Sequence, residues 1–151
     1  MSDAFKPIDP VVDAVIGDRV VDYWPMFTRA FGGVNVGMLL SQFWNYSRMD
    51  ANMGREGWFC ASQEEIEEHT ALTRPEQETA RRKLRDAGIL LENRSGIPAR
   101  LWYKLNKERT MELLQEFLKQ DEIRKIELIQ KKDEKRALRA NSTQNQESEA
   151  A

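Results

Sequence analysis

Residues 58–106 read WFCASQEEIEEHTALTRPEQETARRKLRDAGILLENRSGIPARLWYKLN, and the start and stop signals inside this stretch decide the fold. Ser62 can cap a first helix while Glu65, three residues on, reaches back to the cap backbone, the reciprocal Ser-x-x-Glu capping box. Glu64, Glu65, Glu67 and Glu68 crowd the opening turns, where carboxylates suit the positive end of the helix dipole. The pattern breaks after His69 and Thr70, and Leu72 supplies an apolar plug. A second start follows: Thr73 as N-cap, Pro75 in the first turn where its missing N–H costs nothing, and Glu76 as the capping acid.

This second helix is expected from Arg74 to about Ala87, stopping at Gly88, the residue that most easily takes the left-handed conformation at a helix end. At about 100° per residue, Gln77, Ala80, Leu84 and Ala87 share the side that must face the core. Pro75, Glu78, Thr79, Arg82 and Asp86 fall opposite, with Arg74 and Arg85 beside them. The outward face is long, polar and rich in arginine.

Beyond Gly88, Ile89 to Glu92 has strand character, Ser95-Gly96 is a turn signal within Arg94 to Pro98, and Arg100 to Leu105 returns as a strand through Leu101, Trp102 and Tyr103. Together with a short strand at Trp58, the order is strand, helix, turn, helix, strand, basic tip, strand. The expected fold class is mainly α with a small β-hairpin: a winged helix-turn-helix domain followed by a long C-terminal helix.

Charge is distributed to match. The whole chain carries a formal net charge of -2, yet from Arg74 to Lys104 the cations Arg74, Arg81, Arg82, Lys83, Arg85, Arg94, Arg100 and Lys104 face only Glu76, Glu78, Asp86 and Glu92. Cationic side chains gain affinity for DNA by displacing condensed counterions, and a helix fits the major groove, where arginine reads guanine. Arg74, Glu78, Thr79 and Arg82 are the candidates for base edges. Lys83, Arg85, Arg94 and Arg100 are the candidates for phosphates, with Ser95 at the hairpin tip counted in the same DNA-facing set. Charged residues on a capped helix are also ordinary solvated surface, and winged helices serve as protein-interaction modules. An adaptor that contacts proteins through Ser62–His69 and the long C-terminal helix is therefore the alternative. Glu78 argues for it, although a glutamate can accept from cytosine N4.

The segment LTRPEQETARRKLRDAGILLENRSGIPARLWYKLN resembles the winged-helix region of replication proteins carried by bacteriophages and related mobile elements. In that group a run similar to Glu76-Gln77-Glu78-Thr79-Ala80-Arg81 opens the second helix. A wing similar to Gly96-Ile97-Pro98-Ala99-Arg100 precedes an aromatic strand and a closing Asn, here Asn106. Upstream, Asp22-Tyr23-Trp24-Pro25 through Asn35 to Trp44 resembles the leading helices of those proteins, so the likeness spans about Val20 to Asn106. It implies a role in starting or organising replication of the element, by binding an origin in duplex DNA and recruiting host replication proteins. Many of these proteins carry a partner-binding domain after the winged helix, where this chain has a charged helix and a polar tail. A transcriptional regulator of the same fold is the other reading within DNA binding.

Outward from this region, Val36, Leu39, Leu40, Phe43 and Trp44 recur at helical spacing within Asn35–Met49, giving the central helix of the domain. Trp44 and Tyr46 are read there as core rather than as base-stacking platforms. A loop from Met49 to Gly57 leads to Trp58. Residues 1–19 form an N-terminal segment expected to be partly disordered, and Val11–Val21 does not choose between helix and strand. Residues 107–140 form a charged helical extension without Gly or Pro. Met111, Leu114, Leu118, Ile126 and Ile129 lie near one stripe, interrupted by Glu122 and Asp133, so a homodimer through 108–139 and a solvated helix are both open. Leu113, Leu114, Phe117 and Leu118 give its first half a surface that could pack on the domain. The Asn, Ser, Gln and Glu composition of 141–151 reads as a disordered tail.

A chain of 151 residues is long enough for one core. The lone Cys60, expected as a buried strand residue, excludes an internal disulfide and suits a reducing cytoplasm. The lone His69 has no partner at metal-ligand spacing, so no zinc site is expected, and it is placed near a helix end as a cap or surface residue. No secretion signal or membrane span is expected. Without a Walker loop, a Gly-x-Ser-x-Gly elbow or a nucleophile paired with His69, neither catalysis nor a cofactor is expected.

Overall fold

The computed structural model describes residues 10–11, 20–49 and 52–150. The segment 1–19 lies outside the described residues apart from Pro10 and Val11. The chain divides into two units, Met1–Lys107 and Glu108–Ala151. The first is mainly helical with a small three-stranded antiparallel sheet, and the second is a helix.

Helix α1, Pro25–Phe31, starts on a proline and ends at Gly32, whose φ of 102° lets the chain reverse. Helix α2, Val34–Arg48, is the central one, as its apolar spacing requires: Val36, Leu39, Leu40, Phe43 and Tyr46 are all buried. Trp44 is half-buried, its ring centroid 5.6 Å from Phe27 and 6.4 Å from Trp24, so it serves the packing of α1 on α2. The two helices meet at Gly37. A Cβ there would lie 2.0 Å from Thr28 Oγ1 and 2.8 Å from Thr28 N. No rotamer relieves a clash with backbone, so Gly37→Ala is expected to lower stability by about 1–3 kcal/mol in urea unfolding. An unchanged midpoint would mean that the helices can separate freely.

Strand β1, Trp58–Cys60, precedes helices α3, Gln63–Thr70, and α4, Arg74–Asp86; strands β2, Leu90–Ser95, and β3, Arg100–Leu105, follow. The sheet order is β1-β3-β2, with Phe59 opposite Tyr103 and Tyr103 opposite Glu92. The expected hairpin is thus extended by the Trp58 strand into a sheet. Side chains alternate across a strand, so Phe59 and Tyr103 share one face. There Phe43 meets them at centroid distances of 5.3 and 4.8 Å, forming the aromatic centre of the core. The same alternation corrects the expectation for Cys60: it points to the other face and is only half-buried, while Phe59 is the buried residue.

Both capped helix starts form. The Glu65 side chain accepts from Ser62 N–H at 2.9 Å while Ser62 Oγ accepts from Glu65 N–H, and Glu76 accepts from Thr73 N–H at 2.8 Å. Helix α3 ends at Ala71 in the left-handed region, φ 58°. Helix α4 ends at Gly88, φ 78°, where Ile89 N–H donates to Leu84 O in the manner of a Schellman turn. The fully buried Gln77 clamps the turn between α3 and α4, its Nε2 donating to Gln63 O and Leu72 O at 3.0 and 2.9 Å. His69, one residue from the end of α3, shares a hydrogen bond with the Tyr46 hydroxyl.

In the second unit, helix α5, Lys107–Glu149, continues past the expected boundary at 140. The tail expected to be disordered is helical through Glu149. It contains no Gly or Pro, and the hydroxyls of Ser142 and Thr143 donate back to Arg139 O in the preceding turn. Met111, Leu118, Ile126 and Ile129 are exposed, whereas Leu113, Leu114 and Phe117 are half-buried. Among the described residues no helix is long and apolar enough to cross a membrane.

Candidate nucleic-acid interface

Helix α4 buries Gln77, Ala80, Leu84 and also Arg81, while Ala87 is half-buried; it exposes Arg74, Pro75, Glu78, Thr79, Arg82, Lys83, Arg85 and Asp86. Every expected DNA-facing residue of this helix is therefore at the surface. So are Arg94, Ser95 and Arg100, which bracket the hairpin tip with Ser95 opposite Arg100 and Arg94 opposite Leu101. Gly96, φ 99°, makes the tip turn.

The cations differ in how they are held. Arg74 pairs with Glu64, and both are largely exposed. That arginine and a backbone hydrogen bond at Glu64's own amide hold the Glu64 carboxyl below its ordinary range, the backbone bond being the larger cause. Solvent screens an exposed pair of this kind, so a phosphate can displace the carboxylate. Lys83 Nζ donates to Gly32 O at 3.2 Å and is turned onto the loop between α1 and α2. Arg85, expected as a phosphate contact, donates to Glu92 Oε2 at 2.7 Å. Arg82, Arg94 and Arg100 have no ion pair among the described residues.

Glu92 is the residue that sequence reasoning passed over. It receives Arg81 at 3.1 Å on one oxygen and Arg85 on the other, with the Arg81 and Glu92 side chains only 8% and 14% exposed. Arg81, counted from sequence among the cations of Arg74–Lys104 and assigned to neither helix face, is a buried cation, with its guanidinium 5.9 Å from the Tyr103 ring centroid. Burial pushes the Tyr103 phenol above its ordinary range, an effect that Arg81 opposes. The signal was present: Gln77, Ala80, Arg81 and Leu84 follow the i, i+3, i+4, i+7 spacing of one helical face. The consequence is positional. Glu92 and Arg94 lie two apart on β2 and so share a face, the face that α4 grips through Arg81 and Arg85.

Comparison of the chain with protein families, with curated proteins and with solved structures finds no match.

Proposed function

We propose that the first unit is a winged helix that binds duplex DNA, with α4 laid in the major groove and the β2–β3 hairpin as the wing over neighbouring backbone. The observation that carries this reading is a set of exposed arginines without an ion pair among the described residues, Arg82 on α4 and Arg94 and Arg100 on the hairpin, on two elements that Glu92 joins through Arg81 and Arg85. Arg74, Glu78, Thr79 and Arg82 face base edges, Arg74 leaving Glu64 to do so. Arg94, Ser95 and Arg100 hold phosphates, Lys83 and Arg85 supply positive potential beside them, and Asp86 lies at the far end of the helix.

The resemblance of Glu76–Arg81 and Gly96–Arg100 to phage and mobile-element replication proteins favours a cytoplasmic role at an origin, with host replication proteins as partners. A promoter-binding regulator is the alternative. The exposed apolar residues of α5 would pair two copies, as dimeric readers of paired half-sites require.

Random duplex fragments of the source genome, incubated with the purified chain across a salt series and sequenced after retention, test the reading. One cluster of repeated sites is expected, with retention falling steeply as salt rises. Its position at an origin or a promoter separates replication from regulation. Absence of enrichment even at low salt would overturn DNA binding and favour the protein adaptor.

A further inference from the structure

The sheet face opposite the core carries its own chemistry. Register places Trp58, Lys104 and Leu91 in one row across the three strands, and Cys60, Trp102 and Asn93 in the next. Their parity is opposite to that of buried Phe59 and Tyr103, so these side chains leave the sheet on its outer side. Trp58 and Trp102 are half-buried and Leu91 is exposed. Each indole carries a cation: the Arg55 guanidinium lies 5.3 Å from the Trp102 ring centroid, and Lys104 Nζ lies 6.0 Å from that of Trp58. Beyond Cys60, where β1 stops and β3 continues to Arg100, a groove of about 920 Å³ opens at the sheet edge, lined by Arg55, by Arg100 and Trp102 of the outer-face parity, and by Arg94 and Leu101 of the core-side parity. A carboxylate lining it, that of Glu65, is taken up by Ser62 N–H.

We infer that this face binds single-stranded nucleic acid, with Trp102 as the stacking platform and Arg55 and Arg100 on the phosphates. Flat aromatic rings beside a positive groove are what sequence-tolerant binding of unpaired bases uses. A base stacks on an indole more strongly than an exposed cation rests on it, so Arg55 is free to move from the ring to the backbone as the base arrives. An acidic peptide would satisfy the cations but leave both ring faces unused. The site is separate from the outer face of α4, meets the proposed wing contacts at Arg100, and does not rest on duplex binding.

The test uses the full chain and a fluorescein-labelled oligothymidylate, read by anisotropy and by quenching of tryptophan emission. Binding is expected to quench that emission. Trp102→Ala is expected to lower affinity about tenfold or more, and Trp102→Phe to retain most of it. Arg55→Ala, in an exposed loop where folding is not at stake, is expected to lower affinity several-fold and the salt slope by about 1. Arg82→Glu serves as the contrast, weakening duplex binding and leaving the oligothymidylate bound. The inference is overturned if the single strand is not bound at low salt, or if Trp102→Ala and Arg55→Ala both bind it as the parent chain does. Displacement by polyglutamate at equal charge would also overturn it and identify the face as a patch for acidic protein.

Discussion

Glu92→Ala is expected to lower the unfolding free energy of the chain by about 3–5 kcal/mol, a loss of the size expected for truncating a core side chain. The carboxylate is the shared acceptor of Arg81 and Arg85, and Arg81 is nearly as buried as a core residue. Arg81 Nε already has no hydrogen-bond partner, so removing Glu92 leaves a buried cation with almost nothing around it to replace water. Glu92→Gln keeps an acceptor but not the charge, and is expected to lose about 1.5–3 kcal/mol. Urea unfolding measures both, with the midpoint lowered and the slope unchanged. The decisive comparison is Arg81→Met with Glu92→Leu in one chain. A buried pair replaced by apolar side chains of similar volume is often neutral, so the double variant should recover most of the loss. Equal losses in Glu92→Ala and the double variant would show that the ion pair itself, rather than the orphaned charge, holds the fold.

That network also shows where the sequence was legible and where it was not. Both helix starts and the Gly88 stop were readable because caps act over three or four residues and leave adjacent letters. The apolar stripe of α2 was readable for a related reason, a face repeated over several turns. Arg81 is assigned to no face by the sequence reading, although its spacing puts it with Gln77, Ala80 and Leu84. The partner that makes burial tolerable, Glu92, comes from the following strand, beyond the reach of helical periodicity. The pairing of β1 with β3 joins residues some forty apart, and only alternation hints at it: Trp102 and Lys104 flank Tyr103 as Trp58 and Cys60 flank Phe59. The C-terminal boundary failed differently. Polar composition in 141–149 was read as disorder, but with no Gly or Pro after Asn106 nothing in that segment breaks a helix already under way. For the candidate interface, position was readable and availability was not. Arg74, Arg82 and Arg85 all sit on the outer face of α4, yet Arg85 is spoken for by Glu92 and Arg74 by Glu64.

Availability directs the second major expectation. Arg82→Glu with Arg94→Glu should reduce duplex affinity at low salt about 100-fold or more, and lower the slope of log affinity against log salt by about 2. Each lost contact of this kind is worth about 1–3 kcal/mol, and about 1.4 kcal/mol is tenfold, so two suffice for that drop before repulsion of the new carboxylates is added. Both residues are exposed and outside the Glu92 network, so stability should move by no more than about 0.5 kcal/mol. Arg85→Glu is the instructive contrast, because it would set a second carboxylate against Glu92 and damage folding and binding together. If the double reversal leaves retention and salt slope intact, α4 and the hairpin are not what meets the duplex, whatever their shape. If partner capture through α3 and α5 survives while retention is lost, the DNA and protein surfaces of the chain are separate, and the acidic first turn of α3 then belongs to the protein side.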